Sequence, residues 1–159
     1  MSKIEKEAII KSKERVERYG EVFTPKWMVQ KMCDMLQEQN PDKDVYAVDT
    51  TFLEPSCGEG AFVLEILRRK FENCKSRSDY SVAIESVYGF EILADNVQTT
   101  INNVLSLCDE YFKPSKKDIQ TVKNHIIQCD SLKVLRMLHE YSSDNIVFWH
   151  CNERGLVCD

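Results

Sequence analysis

Short apolar runs, each followed by a longer stretch of helical periodicity, constrain this chain more than any other feature. Thr51-Phe52-Leu53-Glu54, Val87-Tyr88-Gly89-Phe90-Glu91, His125-Ile126-Ile127-Gln128-Cys129 and Asn145-Ile146-Val147-Phe148-Trp149 read as strands. Between them, residues 61–74, 80–86, 94–112 and 130–141 read as helices, and 116–124 as a polar helix or loop. Strand alternating with helix implies βαβ units, a mostly parallel sheet and right-handed crossovers, with helices covering both faces. A further short strand is expected at Val45–Val48. The expected fold is therefore α/β and Rossmann-like, residues 44–159 forming the sheet domain and residues 1–43 two helices in front of it.

Those front helices are bounded by punctuation. The first runs from about Lys3 to Tyr19 and stops at Gly20, a glycine in the position that favours left-handed backbone. The second spans Pro25 to about Gln39, with Thr24 as its cap and Pro25 in its first turn. Trp27, Met28, Met32, Cys33, Met35 and Leu36 form its apolar face.

Composition excludes several classes. With 43% hydrophobic and 30% charged residues in 159, the chain suits one soluble globular domain. No apolar run reaches the roughly 20 residues that cross a bilayer, and the N-terminus lacks the apolar core of a secretory signal. A cytoplasmic protein without a membrane partner is expected. Seven cysteines, odd in number and without a Cys-x-x-Cys pair, read as reduced structural thiols. His150, Cys151 and Cys158 lack metal-ligand spacing, so no metal is expected. The net charge is −5, and basic residues alternate with acidic ones. The one basic excess, Arg68-Arg69-Lys70 with Lys75 and Arg77, reads as a solvated helix end. Nothing in this pattern would hold DNA tightly.

Ligands of parallel α/β sheets bind beyond the carboxyl ends of the strands, and three of those ends are unusual here. The first carries Glu54-Pro55-Ser56-Cys57-Gly58-Glu59-Gly60-Ala61-Phe62. Its glycines permit a tight turn that a ligand can approach, in front of a helix N-terminus. A third glycine at dinucleotide spacing is missing, as is a Gly-Lys-Ser/Thr ending, which disfavours NAD, FAD and a triphosphate loop. Second, Glu91 ends its strand as a carboxylate able to accept both hydroxyls of a ribose, and Ile92 can lie against an adenine. Third, Asp130 can accept an adenine amine or cap the next helix.

Glycine turn, acid and aspartate in that order are the layout of class I S-adenosylmethionine-binding domains. Glu54 to Phe62 resembles the Asp-Pro-x-Cys-Gly-x-Gly-x-Phe motif I of N6-adenine DNA methyltransferases from bacterial restriction-modification systems, with glutamate for the commoner aspartate. Gly20-Glu-Val-Phe-Thr-Pro25 is similar to their Gly-x-x-x-Thr-Pro motif X, and its place before motif I is that of the gamma-type order. Val87 to Ile92 resembles motif II, and Cys129 to Leu132 motif III. The resemblance implies S-adenosylmethionine as cofactor. It places Phe23, Thr24 and Pro25 at the methionine end. Glu54, Ser56, Gly58 and Gly60 shape the turn, Glu91 binds ribose, and Ile92 and Asp130 meet adenine. Cys57, Phe62, Ser131 and Leu132 join the site as members of the same motifs.

The family's catalytic element, Asn/Asp-Pro-Pro-Tyr/Phe after the fourth strand, has no counterpart. No Pro-Pro occurs, and His150-Cys151-Asn152-Glu153-Arg154 stands there instead. No catalytic residue is therefore assigned. The chain is expected to represent the cofactor-binding part of such an enzyme, truncated before catalysis, silent toward DNA alone and completed by another subunit or by self-association through an open sheet edge. A non-catalytic cofactor-binding or partner subunit is the alternative. A small-molecule or protein methyltransferase is disfavoured by the Thr24-Pro25 segment.

Overall fold

The computed structural model of the chain describes residues 9–141, with side chains through residue 137, and the backbone of residues 149–152 and 155–158. The sheet is built from β1 (Phe52–Glu54), β2 (Val87–Glu91) and β3 (Ile126–Gln128), parallel and in that spatial order. Phe52 pairs with Val87, and Gly89 with Ile126. The helices between are α3 (Ala61–Asn73), α4 (Arg77–Glu85), α5 (Ala94–Tyr111) and α6 (Lys116–His125). Before the sheet come α1 (Lys13–Tyr19) and α2 (Lys26–Glu38), and after it α7 (Ser131–Tyr141). The parallel α/β expectation thus holds at the level of a small three-stranded sheet.

Alternation along each strand sorts the core into two layers. Val87 and Ile126 face the larger one, with Val63, Leu67 and Phe71 of α3, Ile84 of α4, Val104 of α5 and Val122 of α6. Phe90 and Ile127 face the other side, where Val134 of α7 joins them. Two successive right-handed crossovers in one direction put their helices on one face, and the chain changes face only after β3.

Several expectations need correction. Residues 45–48 form no strand: they lie in a loop whose backbone is held by side chains and local turn bonds instead of a ladder. The Val45 N–H donates to Gln37 Oε1 at 3.1 Å. Lys70 Nζ donates to the carbonyls of Ala47 (2.7 Å), Val48 (3.3 Å) and Thr50 (2.6 Å). Nor is the Arg68-Arg69-Lys70 run a solvated helix end. Arg68 and Arg69 both pair with the buried Glu65 at 2.8 and 2.7 Å, and Arg69 also ties Asp34 of α2 at 2.7 Å. Lys70 is fully buried, and burial lowers its pKa to about 8 against the opposing pull of Asp49 and Asp44.

Helix boundaries moved for a local reason. Ser76 and Asp79 form a reciprocal capping box, so α4 begins at Arg77 within what reads as a polar break. Ser115 and Asp118 do the same for α6, which settles residues 116–124 as helix. At α1 the described part starts at Lys13, capped by Ser12, so residues 9–12 are not helical; residues 3–8 of the expected helix lie outside the described residues. Gly20 closes α1 at φ 65°, as expected. Pro25, not Thr24, is the N-cap of α2, and no side chain caps that end.

The C-terminal expectation also changes. Trp149–Asn152 (β4) and Gly155–Cys158 (β5) form an antiparallel pair, Trp149 opposite Cys158, separate from the parallel sheet. Residues 145–148 of the expected fourth strand lie outside the described residues. Among the described residues, no helix is long and apolar enough to cross a membrane.

The Lys70 cradle gives a direct test. Lys70→Met keeps the apolar stem but strands three loop carbonyls, and should lower the unfolding free energy by about 2 kcal/mol in urea denaturation. An unchanged midpoint would mean that the loop finds other donors.

Candidate cofactor-binding site

The turn from β1 to α3 is fastened to its surroundings at almost every peptide. The Cys57 N–H donates to Phe90 O at 2.9 Å, and the Gly60 N–H to Cys57 O at 2.7 Å. Gly58 donates its N–H to Glu91 Oε2 at 2.9 Å, while its carbonyl accepts from Thr100 Oγ1 at 2.8 Å. Asn103 Nδ2 donates to Glu59 O at 3.0 Å. The route requires left-handed backbone at Gly58 (φ 54°) and Gly60 (φ 92°). At Gly60 a Cβ would also lie 2.9 Å from Thr100 Cγ2, deep in the core.

Glu91 is the hinge of this arrangement. Its carboxylate is buried at the end of β2, one oxygen accepting from Gly58 and the other from the Leu93 N–H at 2.9 Å. One acid thus joins the glycine turn after β1 to the turn that opens α5. Each oxygen keeps a second lone pair for a further donor. Beneath the turn sits the Cys57 thiol, its pKa pushed up to about 12 by burial and then by the Glu91 charge. That thiol fits because residue 89 is glycine: a Cβ there would lie 3.0 Å from Cys57 Sγ.

Phe23 covers the turn from outside, its ring edge 3.4 Å from where a Gly58 Cβ would stand. Phe23 and Thr24 face Glu54, Ser56, Cys57, Gly58 and Phe62 across an open cavity of about 970 Å³. Glu54 Oε1 accepts from the Ser56 N–H at 3.2 Å, and burial raises the Glu54 pKa. The cavity continues along α3 and α5 past Glu65, Arg68 and Asn103. The structure therefore gathers the residues of the Thr-Pro segment and of the glycine turn around one space.

The remaining expected residues lie elsewhere. Pro25 and Gly60 are not part of the cavity wall, and neither are Glu91, Ile92, Asp130, Ser131 and Leu132. Ile92 is exposed on the turn after Glu91, and Leu132 projects from the first turn of α7. Asp130 Oδ1 accepts from the Lys133 N–H at 3.3 Å, which is the capping role, and Lys133 Nζ lies 3.7 Å from Oδ2. Among the described residues no group of three His, Cys, Asp or Glu could hold a metal, and all five described cysteines are free thiols. The side chains of His150, Cys151 and Cys158 lie outside the described residues.

Sequence reasoning missed what holds the lid of this site in place. Lys11 reaches Glu59 of the turn (2.7 Å), Asp95 (3.2 Å) and Asn96 Oδ1 (2.6 Å), with its ammonium over the Phe23 ring. Arg15 grips Glu21 through two bonds of 2.8 and 2.6 Å and also pairs with Asp95 at 2.8 Å. The buried Asn96 closes the network by donating to Glu21 Oε2 at 2.7 Å. These charges, which in sequence look like an interleaved solvated helix, bind α1 and the Gly20–Pro25 segment to the start of α5. The Arg15 guanidinium, and after it Lys11, hold the Asp95 pKa at about 2, below its usual 3.8.

Comparison with known protein families, curated proteins and solved structures returns no match to this chain.

Two substitutions probe this geometry. Gly60→Ala must strain the left-handed backbone and displace Thr100, and should cost about 2–3 kcal/mol of stability in denaturant titration; a neutral result would show that the turn relaxes freely. Asp95→Asn tests the clamp through pH. Because the folded pKa lies below the unfolded one, the stability Asp95 contributes is present above about pH 4 and is lost as pH falls toward about 2. The stability difference between wild type and Asp95→Asn should shrink over that window. A difference independent of pH would remove Asp95 from the clamp.

Proposed function

We propose that this chain is the S-adenosylmethionine-binding part of a DNA adenine N6-methyltransferase. The observation that carries the reading is the Glu91 bridge. Glu91, the last residue of β2, is bonded to the glycine turn after β1, and Phe23 lies over that same turn. In the motif resemblance these are the ribose acid, the cofactor loop and the methionine-end segment, three elements that need to meet for one ligand although Gly58 and Glu91 stand 33 positions apart.

The donor set suits such a cofactor. Its ammonium would meet the carboxylate of Glu54 in the cavity that Phe23 and Thr24 share, and its ribose would have to reach past that cavity's wall to the unused lone pairs of Glu91 behind the Gly58 turn. When bound, the cofactor supplies an electrophilic methyl group. This chain's residues would hold and orient it, with Phe23 and Phe62 excluding water on the apolar side. Ile92 is exposed next to Glu91 and offers an apolar surface to adenine.

Transfer to DNA needs more. An adenine amine becomes nucleophilic only against positioned acceptors, and the Asn/Asp-Pro-Pro-aromatic element that supplies them is absent from these 159 residues. Arg68, Arg69 and Lys70, the densest basic run, are consumed by internal partners, so DNA contact by this segment is weak. Cofactor binding without turnover is therefore the activity proposed for the chain by itself, as part of an enzyme or as a non-catalytic subunit.

Calorimetric titration with S-adenosylhomocysteine should give a dissociation constant of about micromolar order. Glu91→Gln should weaken it roughly ten- to a hundredfold, since the lost charge serves both the ligand and the Gly58 bridge. Absence of heat with a folded wild-type chain, or equal affinity in a folded Glu91→Gln variant, would sink the reading.

A further inference from the structure

Helix α2 presents two apolar faces, and the fold uses only one. Val29 and Cys33 are buried against the domain. Met28, Met32, Met35 and Leu36 follow one another at helical spacing around the turn and are 38%, 49%, 44% and 38% exposed. Four large apolar side chains in one stripe of a 13-residue helix form a contiguous patch, unlike scattered surface hydrophobes.

Charge says what fits this stripe. Lys31 and Glu38 are both exposed and stand two helical turns apart, so they lie on the same border of the stripe, one toward each end. In a parallel two-fold pair this border would meet the opposite border of the other helix, where the buried Val29 lies, and neither charge would gain a partner. An antiparallel copy sets each Lys31 beside the other helix's Glu38, twice over, about an axis that passes beside Met35. Asp34, also acidic, is already engaged by Arg69. The dipoles of two antiparallel helices oppose each other favourably as well.

The sheet points the same way. Tyr46 links α2 to the sheet: its hydroxyl donates to Cys33 O at 2.7 Å and its ring stacks on Phe52 of β1. Helix α2 therefore flanks the domain on the β1 side, while α5 and α6 lie over β2 and β3. The Phe52 N–H bonds to Ser86 next to β2, so the main-chain groups of Leu53 point to the outer edge. Among the described residues, no strand pairs with that edge. Leu53 itself is exposed.

We propose that the α2 stripe is the interface of a two-fold homodimer, in which α2 packs antiparallel on α2 of a second copy with paired Lys31–Glu38 contacts. One two-fold axis on this flank also turns the edge of β1 that no described strand covers toward its own copy, a self-complementary arrangement. The proposal stands independently of cofactor binding.

Sedimentation equilibrium of the full chain between about 1 µM and 1 mM tests it. The expected result is a concentration-dependent passage from monomer to dimer. Met32→Glu should leave a monomer with unchanged circular dichroism, because the buried face of α2 is untouched. Lys31→Glu and Glu38→Lys should each weaken the dimer roughly tenfold, and the double charge swap should restore it. A chain that stays monomeric throughout overturns the proposal, including one that binds a different protein stoichiometrically through this stripe. A dimer indifferent to Met32→Glu, or a double swap no better than the single ones, overturns it too.

Discussion

The carboxylate of Glu91 is the contact on which the site depends. A buried charge is tolerated only when its hydrogen-bonding capacity is met, and Glu91 meets it with two backbone N–H groups from two different turns. The result is a fixed relation between the ends of β1 and β2 that neither three-residue nor five-residue strand could impose through its ladder alone. Thr100 and Asn103 then fasten the turn from the α5 side. A loop held from both sides keeps one shape, and a ligand that matches that shape loses little by ordering it.

Around this centre the chain uses charge as a fastener in two ways. The Lys11–Arg15–Glu21–Asp95 network is partly exposed, and its strength comes from sharing: each cation touches two acids, and Asn96 ties one acid to the buried side of α5. Lys70 works by the opposite logic. It is fully buried, its hydrogen-bonding partners are three carbonyls, and it replaces the strand that residues 45–48 do not form. A lysine in helix α3 thereby decides the path of a loop more than 20 residues earlier.

What was legible in the sequence is what short-range chemistry dictates. The three parallel strands, the glycine turn, the Gly20 stop and the Asp130 cap each follow from a residue and its neighbours within one turn. The capping boxes at Ser76 and Ser115 were legible too, as Ser-x-x-Asp: reading residues 76–79 as a polar break hid the start of α4, and without the second box residues 116–124 stayed open between helix and loop. Long-range pairings were not legible. Nothing in Arg15 or Asp95 announces that they meet across 80 residues, and Val45-Tyr46-Ala47-Val48 has the composition of a strand because Val45 and Tyr46 are buried. Their burial comes from α2 and Lys70 instead of from a neighbouring strand.

The close fit of Cys57 over Gly89 has an evolutionary consequence. With 3.0 Å between the thiol and the place a Cβ would occupy, the sizes of these two residues are not independent. Ile126 Cδ1, at 3.1 Å from the same place, crowds it from the strand side, so a side chain can enter position 89 only where both neighbours give way by a few tenths of an ångström, and alanine at 57 removes the thiol's share of that crowding while serine keeps it. Drift at these positions is therefore coupled: a change at the turn that shrinks residue 57 eases a later change in the strand, whereas the reverse order asks Cys57 and Ile126 to yield together.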